Sequence, residues 1–378
     1  MSLAALSMGV LLSQLHEHSH HQCRHALDVS AGAWQACEPR NVTVAPPRSA
    51  CRENCDNCRS STDIDNEPPP PLTRCFVPSQ CPDPSIDDVF ECVRRRTVKA
   101  GLPSPFSPRI VFLGDSVTMQ IFFSIACKLN VQQFRHVEAV PGRTGVNAEH
   151  TAHWIGTTYE NIIDQANFGL YDLHLGKGSI SLIYSKRSIS KEYRAEGMAT
   201  MLKEAFASPI VKSLLQDAFY VVNFGLWHAV CTTDNNPMVF KFANQGQEDS
   251  ESCNDPQYQW RLTQLFEQLL KSTRGPILWR DTTAVHPSRL PENVNKETRE
   301  KYKHFDNVAI ASLNANATQL IASNPRFAAR IQSSPSHWFY AATRDRADGT
   351  LPTDMRHYDA EVVDQLIRVL FLQVCEVL

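Results

Sequence analysis

Between residues 109 and 129 the hydrophobic pattern changes period. The chain reads R-I-V-F-L-G-D-S-V-T-M-Q-I-F-F-S-I-A-C-K-L. Ile110–Leu113 is an unbroken branched apolar run, the pattern of a buried strand. Val117, Ile121, Ile125 and Leu129 then recur every four residues, which marks one face of a helix. Gly114 permits a sharp turn between the two, and Asp115 and Ser116 are both good N-cap residues. Ile86–Arg95 precedes this unit as a short helix. Beyond it the periods keep alternating. Strands are predicted at His136–Val140, Ser179–Tyr184, Phe219–Phe224, Ile277–Trp279 and His337–Ala341. Helices are predicted at Glu192–Ala207, Trp260–Ser272, Asp306–Ser323 and Ala360–Val377. Strands alternating with long amphipathic helices predict an α/β fold, three layers deep, with a mostly parallel sheet covered on both faces. Sites in such folds lie at the carboxyl ends of strands, where Ser116 falls.

Composition changes the picture mainly before residue 105. The 378 residues include 12 cysteines, eight of them before residue 93 and the others at Cys127, Cys231, Cys253 and Cys375. That density, with the sequons at Asn41 and Asn316, fits an oxidising secretory lumen, Golgi or secreted. Residues 1–22 form a tail with a weak signal-like stretch, Leu3–Leu12, that lacks a basic flank. No segment reaches the roughly 18 apolar residues of a membrane helix, so no anchor is evident. Residues 23–104 are Cys-rich and loop-rich, with the stiff run Pro68–Pro71, and residues 105–378 form the body. The His-rich stretch His16–His25 reads as a solvated tail, and Cys51, Cys55 and Cys58 read as disulfide partners more readily than zinc ligands; no metal is expected. Cys231 and Cys253 bracket a polar insertion and are expected to bond to each other. With 37 Lys and Arg against 40 Asp and Glu, net charge −3 and no basic stripe, nucleic acid is not an expected partner.

No Gly-rich phosphate loop follows a strand, and there is no G-x-S-x-G, so nucleotide binding and the α/β-hydrolase arrangement lack support. Ser116 itself has two readings. On a strand-to-helix turn, unpaired helix amides and the dipole favour an oxyanion, which suits an acyl-transfer nucleophile; alternatively, Asp115 and Ser116 only cap the helix. Asp354-Met-Arg-His357, just before the last helix, lets an Asp orient an imidazole that takes a proton from a serine. Asn223-Phe-Gly225-Leu-Trp227 ends one strand, where an Asn side chain and turn amides can complete an oxyanion hole or simply pack as a glycine turn. Arg280 ends another, followed by His286; the arginine either grips an anionic donor or serves as a buried pair partner. Gly142 and Gly145 follow the His136–Val140 strand.

G-D-S on a strand-to-helix turn, Asn-x-Gly-x-Trp, a strand-ending Arg and a late Asp-x-x-His occur in one fixed order. That order resembles the PC-esterase branch of the SGNH superfamily, closest to the trichome birefringence-like polysaccharide O-acetyltransferases. The resemblance covers about 105–130, 218–228, 275–287 and 345–372. It implies an SGNH-hydrolase-like sheet and a triad of Ser116, His357 and Asp354. Gly114, Asp115, Gly142, Gly145, Asn223, Gly225, Trp227, Arg280 and His286 become the candidate oxyanion or substrate-binding residues. Where those plant proteins carry Arg-Asn or Arg-Gln after G-D-S-x-x, this chain has Met119-Gln120. The implied activity is transfer of an acetyl group through an acyl-serine to hydroxyls of a carbohydrate or polysaccharide, by a monomer with no cofactor beyond the acetyl donor. A carbohydrate acetyl esterase and an inactive secreted glycan-binding module are the alternatives.

Overall fold

The computed structural model describes residues 33–36, 74–77, 84–103, 107–129, 133–139, 146–153, 169–184, 195–207, 209–229, 255–290, 306–333, 337–350 and 355–376. Two short strands, β1 (Ala33–Ala36) and β2 (Arg74–Val77), pair antiparallel with each other. The body follows in chain order as α1 (Ile86–Lys99), β3 (Arg109–Leu113), α2 (Ser116–Lys128), β4 (Gln133–Ala139), β5 (Val146–His153), β6 (Gly169–His174) and β7 (Ser179–Tyr184). It continues through α3 (Ala195–Ala205), α4 (Pro209–Leu215), β8 (Phe219–Val222), α5 (Asp255–Ser272), β9 (Ile277–Trp279), α6 (Asn307–Ser323), β10 (Ile331–Ser333), α7 (Trp338–Arg344) and α8 (Ala360–Glu376).

One eight-stranded sheet runs in the order β10-β9-β8-β3-β7-β6-β4-β5. The pairs from β10 to β7 are parallel, and those from β7 to β5 antiparallel. Strand β3 lies inside the parallel part with β8 and β7 as neighbours. Its residues Ile110–Leu113 are all buried, which is why its sequence does not alternate: both faces are covered. Phe112 meets Phe122 of α2 edge-on, and Phe219 lies under the Arg96 guanidinium of α1. Ile110 is registered with Phe219, so α1 and α2 cover one face. Trp279 meets Phe266 of α5; Val222 is registered with Trp279, one pleat out of phase with Phe219, so α5 covers the other. Helix α8 packs on α1 and α2, while α3 and α6 pack on α5. The result is an α/β fold with helices on both sides of a mostly parallel sheet.

Helix α1 begins with a capping box at Ser85 and Asp88 and is tied to the far end of the chain by a disulfide, Cys92–Cys375, with Cα atoms 5.1 Å apart. No helix among the described residues is long and apolar enough to cross a membrane.

His337–Ala341, expected as a strand, is instead the start of α7. Its aromatic content favours a strand, but the buried Asp281 carboxylate accepts from the amides of Phe339 (3.3 Å) and Tyr340 (2.7 Å). A carboxylate on those otherwise unbonded first-turn amides holds the segment helical from a distance of 58 residues in sequence. Strand β8 stops at Val222, two residues before the expected end.

Candidate active site

Strands β3 and β8 end together, since the Asn223 amide donates to the Leu113 carbonyl at 3.0 Å. The next residue must be glycine. A Cβ on Gly114 would fall 2.2 Å from Thr118 Oγ1 and 2.8 Å from the Asn223 carbonyl oxygen. Asp115 then caps α2: its Oδ1 accepts from the amides of Val117 and Thr118, both at 3.1 Å. The capping task is therefore filled by Asp115, and the Ser116 hydroxyl points elsewhere. It lies 2.7 Å from Nε2 of His357. Both residues are partly exposed, whereas Asp115 is buried.

His357 arrives on the segment before α8, and that segment is anchored at several points. The Met355 carbonyl accepts from the His286 amide at 2.7 Å. The Tyr358 hydroxyl donates to the Ala284 carbonyl at 2.5 Å, and its backbone bonds the Gln120 side chain. Asp354, Gly142, Gly145, Cys231, Cys253 and the His16–His25 stretch lie outside the described residues, as does the side chain of Trp227, whose backbone sits in the helical turn Leu226–Ala229. Among the described residues no group of three or more His, Cys, Asp or Glu is placed to hold a metal ion.

Beneath the serine lies a buried polar layer. Arg280, 1% exposed, donates to Thr118 Oγ1 at 2.8 Å and approaches Asp115 at 3.5 Å, with its guanidinium over the Phe339 ring. Burial pulls the guanidinium below its ordinary value, against the opposing charges of Asp115 and Asp281. Burial also pushes the Asp281 carboxyl up, opposed first by the Tyr340 amide. Arg280 is thus a buried partner that braces the Gly114–Ser116 turn, enclosed rather than open to an anionic donor. Asn223 likewise faces inward: its amide donates to the Arg280 carbonyl (2.8 Å) and to Thr282 Oγ1 (3.1 Å). Both its protons hold β8 to β9, so they are not turned toward an oxyanion. Gly225 packs on Thr282, where a Cβ would sit 1.8 Å from the hydroxyl. The imidazole of His286 is 2.9 Å from the Thr343 carbonyl through Nε2, and burial lowers its affinity for a proton.

The structure therefore brings Ser116 and His357 into contact, and places Gly114, Asp115, Asn223, Gly225, Arg280 and His286 as the frame around and beneath them. Thr118, Gln120, Asp281 and Tyr358 belong to that frame and were not anticipated; only Thr118 and Gln120 carried a signal, as polar residues inside an apolar helical run. What the arrangement can do chemically is proton transfer from a solvent-reachable serine to an imidazole at a helix N-terminus. No family model, curated protein or solved structure matches the chain.

Proposed function

We propose that the protein is a serine-dependent acyltransferase of the SGNH type, and more narrowly an O-acetyltransferase that modifies hydroxyls of a carbohydrate or polysaccharide. The observation that carries the reading is the 2.7 Å contact between Ser116 Oγ and His357 Nε2 at the carboxyl end of a core strand. His357 takes the hydroxyl proton as Ser116 Oγ attacks the acetyl carbonyl carbon of the donor. The proton then passes to the departing donor group as its bond to the acyl carbon breaks. In the second half the acceptor hydroxyl loses its proton to His357 and attacks the acyl-serine, and the proton returns to Ser116 Oγ as the ester opens. Asp354, three residues before the histidine, is the assigned orienting carboxylate. The Ser116 amide, the first of α2, is assigned as an oxyanion donor, since the Asp115 carboxylate already holds the next two. The Cys92–Cys375 disulfide supports a lumenal or secreted setting.

Incubation with an acetyl donor and no sugar is expected to leave an acetylated peptide containing Gly114-Asp115-Ser116. Acceptor glycan is then expected to discharge it faster than water does. Discharge that no glycan accelerates would make the protein an esterase. Absence of adduct with every donor, in folded protein, would overturn the acyl-transfer reading.

A further inference from the structure

Gln120 sits one turn beyond Ser116 on α2 and is buried, in a stretch whose Met119, Ile121, Phe122 and Phe123 are buried too. A buried amide requires partners for its donor and its acceptor, and both come from one residue. Nε2 donates to the Tyr358 carbonyl at 2.6 Å, and Oε1 accepts from the Tyr358 amide at 3.3 Å. The side chain occupies the place beside Tyr358 that the backbone of a neighbouring strand would take. Tyr358 is the residue after His357, and it is itself buried, with its hydroxyl on Ala284. The Ala284 and His286 anchors fix the base segment to the loop after β9. Gln120 fixes it to the helix that begins with the nucleophile. A rigid helical turn therefore separates the clamp from the Ser116 hydroxyl, and any slip of Tyr358 along α2 moves His357 by the same amount.

We propose that Gln120 is a positioning residue that sets the registry of His357 Nε2 on Ser116 Oγ. The inference rests on the reading of that pair as nucleophile and base, and two measurements separate the two claims. The first needs no catalysis. The Cε1 proton resonance of His357, assigned with His357→Ala, reports its bond to Ser116. Ser116→Ala is expected to displace that resonance, and to displace it by less than a third as much when Gln120→Met is also present. Equal displacement in both backgrounds overturns the positioning role. The second measures how fast a fluorophosphonate labels Ser116, followed by mass of the tryptic peptide. Gln120→Met is expected to slow labelling about 10²-fold, the scale of a misplacement near 1 Å.

Gln120→Glu keeps the length and, while protonated, both a donor and an acceptor. Its labelling rate relative to the parent is expected to stay near one at acid pH and to fall toward that of Gln120→Met as the carboxyl ionises. A ratio that does not change with pH overturns the inference, and this variant carries the test if Gln120→Met folds poorly. A parent that shows the resonance displacement but never labels would refute acyl transfer and leave the positioning role standing.

Discussion

A serine hydroxyl bound to its own helix amides is a weak nucleophile, and here the neighbouring carboxylate relieves it of that duty. Asp115 holds the amides of Val117 and Thr118, so Ser116 is available to His357. Ser116→Ala is accordingly expected to lower turnover on the order of 10⁴-fold or more with the thermal midpoint unchanged. Retention of a tenth of the parent rate in the purified variant would remove the nucleophile assignment. His286 offers a second test at this scale. Burial lowers its imidazole from the ordinary 6.5, with the Thr343 carbonyl opposing. Below 6.5 the unfolded chain binds a proton that the folded one does not, so this histidine's contribution to stability is complete above 6.5 and is lost as pH falls toward the lowered folded value. His286→Gln is expected to flatten that part of the stability profile, read as urea midpoints from neutral pH downward; parallel profiles for parent and variant would refute it. The Asp-Ser pair was legible as a helix start, but which residue capped and which was spare depended on where each oxygen pointed. The inward roles of Asn223 and Arg280 were illegible for a similar reason: a strand-ending polar residue looks the same whether it faces a cleft or a buried carbonyl.

At the scale of elements, the strands rich in branched apolar residues were legible because burial on both faces leaves a simple signature. Ser179–Tyr184 and Ile277–Trp279 have the expected bounds, and the start of Ala360–Glu376 falls where its period begins. The strands β1, β2, β5, β6 and β10 were not anticipated. Val146–His153 reads V-N-A-E-H-T-A-H, with few apolar positions for a period to show in. The segment at His337–Ala341 failed for the opposite reason: its local preference was strong and a remote carboxylate overrode it. Such junctions between elements are also where the fold tolerates least. At Gly225 the β8 exit touches the β9 exit, and a Cβ would stand 1.8 Å from Thr282 Oγ1 and 2.9 Å from its Cβ. Gly225→Ala is expected to destabilise by about 1–3 kcal/mol, as overpacking does, seen as a lower urea midpoint at unchanged slope. An unchanged midpoint would mean that Thr282 turns away freely.

Across the whole molecule, the architecture rests on a contact that sequence periodicity does not encode. Helix α8, which follows His357, lies against α1 and α2, and Cys92–Cys375 closes a sequence separation of 283 residues. The chain-entropy model assigns a loop of that size about 5.6 kcal/mol. Replacing both cysteines by alanine is expected to lower stability substantially, measured by equilibrium denaturation against the intact protein; a loss below about 1 kcal/mol would show that helix packing alone holds the two ends. With twelve cysteines in the chain, no spacing rule singles out this pair. The sequon at Asn316 is a contrary case, legible as a motif but sited within α6 with its amide nitrogen enclosed.

The disulfide also imposes a schedule on biosynthesis. Ribosomes add about 5–20 residues per second, so Cys92 emerges on the order of 15–60 s before the only thiol that completes it. Throughout that interval it shares the nascent chain with Cys51, Cys55, Cys58, Cys75 and Cys81, all nearer in sequence and already synthesised. Any bond that Cys92 makes with one of them must be undone by thiol exchange before Cys375 can take its place. An isomerase added to an oxidant is therefore expected to raise the yield of the Cys92–Cys375 link on refolding.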